Sequence, residues 1–331
     1  MKKILKYLFN ILIIGLFFYS IINANNIIDT VKEGILISGN NIIPSLFPTL
    51  CIVTIIIDSG MIFSLNKKSI PLFLFILAQI SGYPTGAKIL NSCTDKKIIN
   101  KNDAANLLPA FICPGPAFVI SFAGGTVFNN SELGLRMYVS ILMTNTILFL
   151  MFGGYKIKIE TANFEQKNNF TDCIISSAAS VFKISVLFIF FYAFLKSVTV
   201  IFSSTISTAI YYFFEITGLV LISKNIYITC SALSFGGICV LMQIKDITVN
   251  YKFEYKRIIF IRFFSAILSA LILKVSLTII TIKNFVYSNF SDKISLSFGG
   301  NLGYIIVAFL SIIVLLGSLS DKNILKKAKN F

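Results

Sequence analysis

Four short stretches of this sequence place helix-breaking residues beside polar or charged ones inside otherwise apolar runs. The first is Ser81-Gly82-Tyr83-Pro84-Thr85-Gly86-Ala87-Lys88. Gly82 and Gly86 allow unusual dihedrals and close backbone approach. Pro84 removes a donor and interrupts a helix. A half-helix that restarts after such a break presents free amides, which attract anions, and Lys88 adds a positive charge just beyond it. The plainer alternative is a proline-kinked packing helix whose lysine reaches the cytoplasmic surface. The second stretch is Cys113-Pro114-Gly115-Pro116, followed by Gly124-Gly125. Two prolines around a glycine cannot form regular helix, so this is a binding turn or a packing kink. The third, Glu215-Ile216-Thr217-Gly218, follows the aromatic run Tyr211 to Phe214. A carboxylate inside a membrane is costly and functional by default. It could bind a coupling cation or a proton, or contact a polar substrate group. At the end of a segment it would instead be interfacial. The fourth is Ser234-Phe235-Gly236-Gly237 with Gln243 after it, and a second Ser-Phe-Gly-Gly stands at 297–300. A glycine pair alone reads as close helix packing. Arg262 and Lys274 are weaker candidates within the run 258–282.

Other chemistry is excluded by what the chain lacks. It contains no histidine and no tryptophan. A histidine-ligated metal, a histidine base and a histidine proton relay are therefore impossible. The six cysteines show no CxxC spacing and read as small core residues. With no nucleophile–base pair and no metal-ligand cluster, neither an enzyme nor a cofactor is expected.

The elements that must position these residues are membrane helices. Of 331 residues, 56% are hydrophobic and only 13% charged, about half the charged share of a soluble domain. Mean hydropathy is +0.84. These values predict an all-α, polytopic helical membrane protein with about 8–10 membrane segments. The expected segments are 4–24, 47–65, 70–90, 106–125, 133–154, 182–204, 205–223, 225–244, 258–282 and 303–320. Residues 25–46, with Asp29, Lys32 and Glu33, read as an amphipathic stretch at the interface. The net charge of +15 comes from lysines in short loops and at the tail. That fits loops facing an anionic cytoplasmic leaflet, with the lipid bilayer and not nucleic acid as partner.

The positive-inside rule then makes a topology. If 70–90 and 225–244 are re-entrant hairpins, the lysines at 96, 97, 101, 245, 252 and 256 stay cytoplasmic. Aligning Gly86 with Gly237 pairs Leu90 with Leu241 at an offset of 151 residues. Two pseudo-repeated halves, each with a broken or re-entrant segment, are expected, and such pairs point to a transporter site. Charge counting favours parallel halves and leaves an inverted repeat open. The divisions are 1–29 (N-terminal membrane helix and linker), 30–154 (first half), 155–175 (cytoplasmic loop), 176–320 (second half) and 321–331 (basic cytoplasmic tail). The N-terminal run lacks a small-x-small cleavage site and is expected to remain as a membrane helix.

Taken together, SGYPTGAK, the following Gly-Pro turn, EITG and SFGGICVLMQ resemble the YlbJ group of bacterial sporulation integral membrane proteins, within the wider nucleoside-recognition (gate-domain) membrane proteins. The likeness covers roughly residues 30–320 and rests on the order and spacing of four motifs. It implies transport of dipicolinate, a small aromatic dianion, across the outer forespore membrane. It assigns family motif positions to Gly82, Pro84, Gly86, Lys88, Glu215, Thr217, Ser234, Gly236 and Gly237. Three departures are visible: no Asn before the Gly of EITG, Cys113-Pro114 in place of an Asn-rich stretch, and Leu241 where a His is frequent. The expected substrate-binding set is Ser81, Gly82, Tyr83, Pro84, Thr85, Gly86, Lys88, Gly115, Pro116, Glu215, Thr217, Ser234, Gly236, Gly237 and Gln243. A small organic anion is the leading substrate expectation. Competing expectations are a nucleoside or other small-solute carrier and a non-transporting sporulation scaffold. Coupling ion and homo-oligomer formation stay open.

Overall fold

A computed structural model of the protein describes residues 2–159, 169–199, 202–248 and 255–287. The second Ser-Phe-Gly-Gly, the expected segment 303–320 and the tail lie outside the described residues. So do 160–168 and 249–254, in the two basic loops. Among the described residues all regular structure is helical. Five helices among the described residues are long and apolar enough to cross a membrane: Ala24–Asp58, Ser131–Met151, Phe170–Thr199, Ile226–Ile247 and Tyr255–Thr278. The chain is an all-α, multi-pass membrane protein.

The order is α1 (Lys2–Ile22), α2 (Ala24–Ile37), α3 (Ile43–Asp58), α4 (Ile70–Ser81), α5 (Thr85–Asp95), α6 (Lys101–Phe111), the π-helix Ala117–Val127, and α7 (Ser131–Met151). Then come α8 (Phe170–Thr199), α9 (Ser204–Phe214), α10 (Ile216–Ile222), α11 (Ile226–Phe235), α12 (Gly237–Ile247) and α13 (Tyr255–Tyr287). Local chemistry sets several starts. Asn100, Asn130 and Asn225 each accept a backbone N–H from the first turn of α6, α7 and α11, as N-caps do.

The stretch expected at the interface is instead part of one long helix. α2 runs through the π-helical turn Ser38–Ile42 into α3. The wider π turn displaces the hydrogen-bond ladder just before Pro44, which has no N–H to offer. Of the charges that suggested an interface, Glu33 is met by α8, accepting from both Lys196 Nζ and Tyr192 Oη, whereas Asp29 and Lys32 pair with each other and stay exposed. Gly34 gives the close approach, because a Cβ there would lie 3.4 Å from the Tyr192 ring. A second difference falls on the expected segment 205–223, which is two short helices broken at Glu215.

The long helices pair antiparallel. Thr30 lies against Ala193 and Ser197, whereas Thr54 meets Ser177 and Asp58 meets Cys173. Thus 24–58 and α8 run in opposite senses. Helices α7 and α13 pack together. Cys230 lies against both the Met137 and Ser269 carbonyls, and Asn145 bonds Arg262, so this pair is antiparallel too. The broken segments lie between these pairs. α4 packs back on α5, and α9 on α10, whereas α11 and α12 continue as one interrupted span.

α13 shows how the fold suits lipid. It exposes Phe260, Phe264, Leu271 and Val275 and buries Arg262, Ser265 and Ser269 at helical spacing. Apolar side chains face outward and polar ones face the bundle, where partners exist.

Candidate functional site

Three of the helix breaks meet. α4 stops at Ser81 because Gly82 adopts φ +78°, ψ 165°, which side-chain-bearing residues avoid. The Tyr83–Pro84 peptide is cis, and α5 restarts at Thr85. Gly82 also touches the second break: a Cβ on it would sit 2.9 Å from Gly115 N. Helix α6 ends at Phe111, and 112–115 run without helix to Pro116, which opens the π-helix.

The carbonyls freed at that end are capped by side chains. Pro109 O accepts from Arg262 Nη1 at 3.0 Å, Ala110 O from Gln79 Nε2 at 3.0 Å, and Ile112 O from Asn145 Nδ2 at 3.2 Å. Asn145 also accepts from Arg262 Nη1 at 3.0 Å and donates to Gln79 Oε1 at 2.9 Å. The result is one buried network across α4, α6, α7 and α13.

The third break is at Glu215, in extended backbone between α9 and α10. Its carboxylate is 3% exposed and accepts the N–H of Thr217 at 3.0 Å and of Gly218 at 2.5 Å. Among the described residues no lysine or arginine forms an ion pair with it. The fourth break, Gly236 and Gly237 with φ +94° and +68°, lies against the end of α9. A Cβ on Gly237 would stand 3.3 Å from Phe214 O, one residue before Glu215.

These parts border a small cleft that is partly open to its surroundings. Tyr83, Gly115, Glu215, Thr217 and Gln243 line it, walled by Leu46, Phe118 and Phe188. Five of the sequence-predicted residues are therefore neighbours around one space. The others sit elsewhere. Thr85 and Lys88 line a separate, smaller cavity with Thr54, Asp58 and Ser92. There Lys88 Nζ reaches Ser180 Oγ at 3.3 Å and Ser176 Oγ at 3.5 Å. Gly86 packs on α6, where a Cβ would overlap the Phe111 carbonyl oxygen. Ser81 is buried, and Pro84 and Pro116 precede helix starts. Ser234 faces Ser265 on α13 at 3.4 Å.

Sequence reasoning missed Gln79, Asn145 and the cleft walls, and ranked Arg262 low. Gln79 and Asn145 did carry a signal, since both are polar residues inside apolar runs. No group of three or more metal-ligating side chains that could hold an ion occurs among the described residues. Compared with known protein families, curated proteins and solved structures, this chain matches none.

Proposed function

We propose that the chain is a membrane transporter for a small organic solute, seated in the cleft bounded by Tyr83, Gly115, Glu215, Thr217 and Gln243. One observation carries this reading. Broken backbone and an unpaired carboxylate converge on one space in a membrane protein, and neither survives in lipid unless it faces protein or a watery cavity. A scaffold without transport has no need of either.

The architecture supports the same reading as an inverted repeat. Each half has a long helix, a folded-back pair, an interrupted helix and a second long helix. The first half is 24–58, α4/α5, α6 with the π-helix, and α7; the second is α8, α9/α10, α11/α12 and α13. Both pairs of corresponding long helices are antiparallel, as opposite orientations in the membrane require. In this register the re-entrant partner of 70–95 is 204–222, and the break at 112–115 corresponds to Gly236-Gly237. This register replaces the sequence pairing of Gly86 with Gly237. Among the described residues, lysines 67, 68, 96, 97, 101, 156, 158 and 245 fall on the cytoplasmic side and Lys224 falls outside.

A small organic anion, with dipicolinate as the first candidate, is supported by the resemblance to the YlbJ group, although Lys88 lies in the separate cavity and not on the cleft. On that reading the membrane is the outer forespore membrane of a sporulating cell. A second reading, a nucleoside or similar neutral solute, is favoured by the cleft, where Glu215 is the charged lining residue and apolar side chains form the walls. Uptake into proteoliposomes of labelled dipicolinate and of uridine tests both. Saturable uptake of either, lost in Glu215→Gln, is expected. A correctly inserted protein that moves neither, nor any of a panel of small carboxylates and nucleosides, overturns the transporter reading.

A further inference from the structure

Arg262 is the largest fully buried side chain of the described residues and lies about two turns into a membrane helix. Its Nη1 is committed to the Pro109 carbonyl and to Asn145 Oδ1. Its Nε and Nη2 have no hydrogen-bond partner among the described residues. Those two atoms form one edge of the guanidinium, and that edge is the fork that grips a carboxylate with two parallel hydrogen bonds. No Asp or Glu pairs with Arg262 among the described residues. A buried cation with an empty fork leaves both charge and donors uncompensated, which is costly. The phenol of Tyr83 is a second buried polar group without a partner. Tyr83 lines the cleft and lies within electrostatic reach of both Glu215 and Arg262. Cys113, next to the cleft residue Pro114, is within reach of Arg262 as well. Tyr83 thus lines the cleft and feels the charge of the guanidinium.

We propose that the free Nε–Nη2 edge of Arg262 is an anion seat beside the cleft, taking a carboxylate group or an inorganic anion, with Tyr83 as the second donor. The seat deepens the transport reading, because it supplies the cation that the cleft lining lacks for an anionic solute. Its asymmetry is built in. Pro109 O and Asn145 pin one nitrogen and so hold the guanidinium plane, and the opposite edge is preorganised. Lysine at this position could keep the charge and one carbonyl contact but could not present a fork.

The test needs binding and not transport, so the two readings can fail separately. Protein in detergent at low ionic strength is labelled with ¹⁵N at arginine Nε. The chain has three arginines, Arg136, Arg257 and Arg262, so Arg136→Lys and Arg257→Lys assign the Arg262 signal by elimination. Titration with benzoate should shift the Arg262 signal and raise the melting temperature, and benzamide should do neither. Arg262→Lys should weaken benzoate binding about 10-fold or more, since one charge-assisted bond of the pair is lost. Sodium chloride with the same Arg262-dependent effect would identify an inorganic anion as occupant of the same seat. An Arg262 signal unmoved by every anion overturns the proposal, and so does an Arg262→Lys protein that binds benzoate as tightly as the parent. Should Arg262→Lys fail to fold, the wild-type titration alone decides.

Discussion

Replacing Glu215 separates a helix cap from a functional carboxylate. Its two oxygens satisfy two amides at the start of α10, Thr217 N at 3.0 Å and Gly218 N at 2.5 Å. In Glu215→Ala both amides lose their acceptor in a buried place. Each buried unsatisfied donor costs about 1–3 kcal/mol, and a lost cap is worth about 1 kcal/mol by itself. Removal of a buried charge that no basic side chain pairs returns part of that cost. The net expectation for Glu215→Ala is a loss of about 1–3 kcal/mol. Glu215→Gln keeps the length and one acceptor oxygen, so it satisfies one amide and removes the same charge. Its loss should stay within about 1 kcal/mol. Melting of purified protein and uptake into vesicles are read on both variants. The expected pattern is a near-normal melt with uptake abolished in Glu215→Gln, and a lower melt in Glu215→Ala. Wild-type uptake by Glu215→Gln would show that the carboxylate only caps α10, and the functional argument for it would be refuted.

Four further outcomes are expected. Lys224→Cys should react with an impermeant maleimide added outside intact cells, and Lys97→Cys and Lys245→Cys should not; labelling at 97 or 245, or none at 224, contradicts the inverted topology. Thr30→Cys with Ser197→Cys should form an intramolecular disulfide on mild oxidation, because the native side-chain oxygens are 3.4 Å apart; failure would disprove the α2–α8 pairing. Gly82→Ala should destabilise more than Gly153→Ala: both glycines have positive φ, but only Gly82 has backbone within 3 Å of the added Cβ, so strain of about 1–3 kcal/mol is joined by a clash. Lys88→Gln should reduce uptake of a dianion more than of a monoanion, by the loss of a charge that acts on each carboxylate; equal reduction would make Lys88 a tether to Ser176 and Ser180.

The breaks were legible in the sequence because Gly and Pro act locally. Gly82-Tyr83-Pro84, Cys113 to Pro116 and Gly236-Gly237 interrupt helix where their backbone chemistry requires it. The break at Glu215 was not legible at its place, since the breaker residue of that stretch, Gly218, stays helical and the turn falls before it. The chain turns because the glutamate side chain supplies acceptors for a new helix start, a tertiary decision. The unbroken helix 24–58 was hidden for the opposite reason. Asp29, Lys32 and Glu33 look like surface, but Glu33 is answered by Lys196 and Tyr192, more than 150 residues away. Site membership divided along the same line. Tyr83, Gly115, Glu215, Thr217 and Gln243 could be named from type and spacing, but that Lys88 points to another cavity depends on the fold-back of α5 on α4.

Every half-helix end in the membrane exposes backbone groups that water cannot satisfy. The chain answers each kind of end with the opposite chemistry. The amides that open α10 meet a carboxylate, and the carbonyls that close α6 meet the donors of Gln79, Asn145 and Arg262. The charges therefore serve the broken helices first, and it is the breaks themselves that a non-transporting scaffold would not need. What backbone capping does not explain is the surplus. Capping α6 uses one nitrogen of Arg262 and leaves a two-pronged edge free, and a neutral donor such as a second Gln would cap the same carbonyl without burying a charge. An arginine at that position is therefore more than α6 needs, and the unused edge is where the fold has chemistry left to offer a ligand.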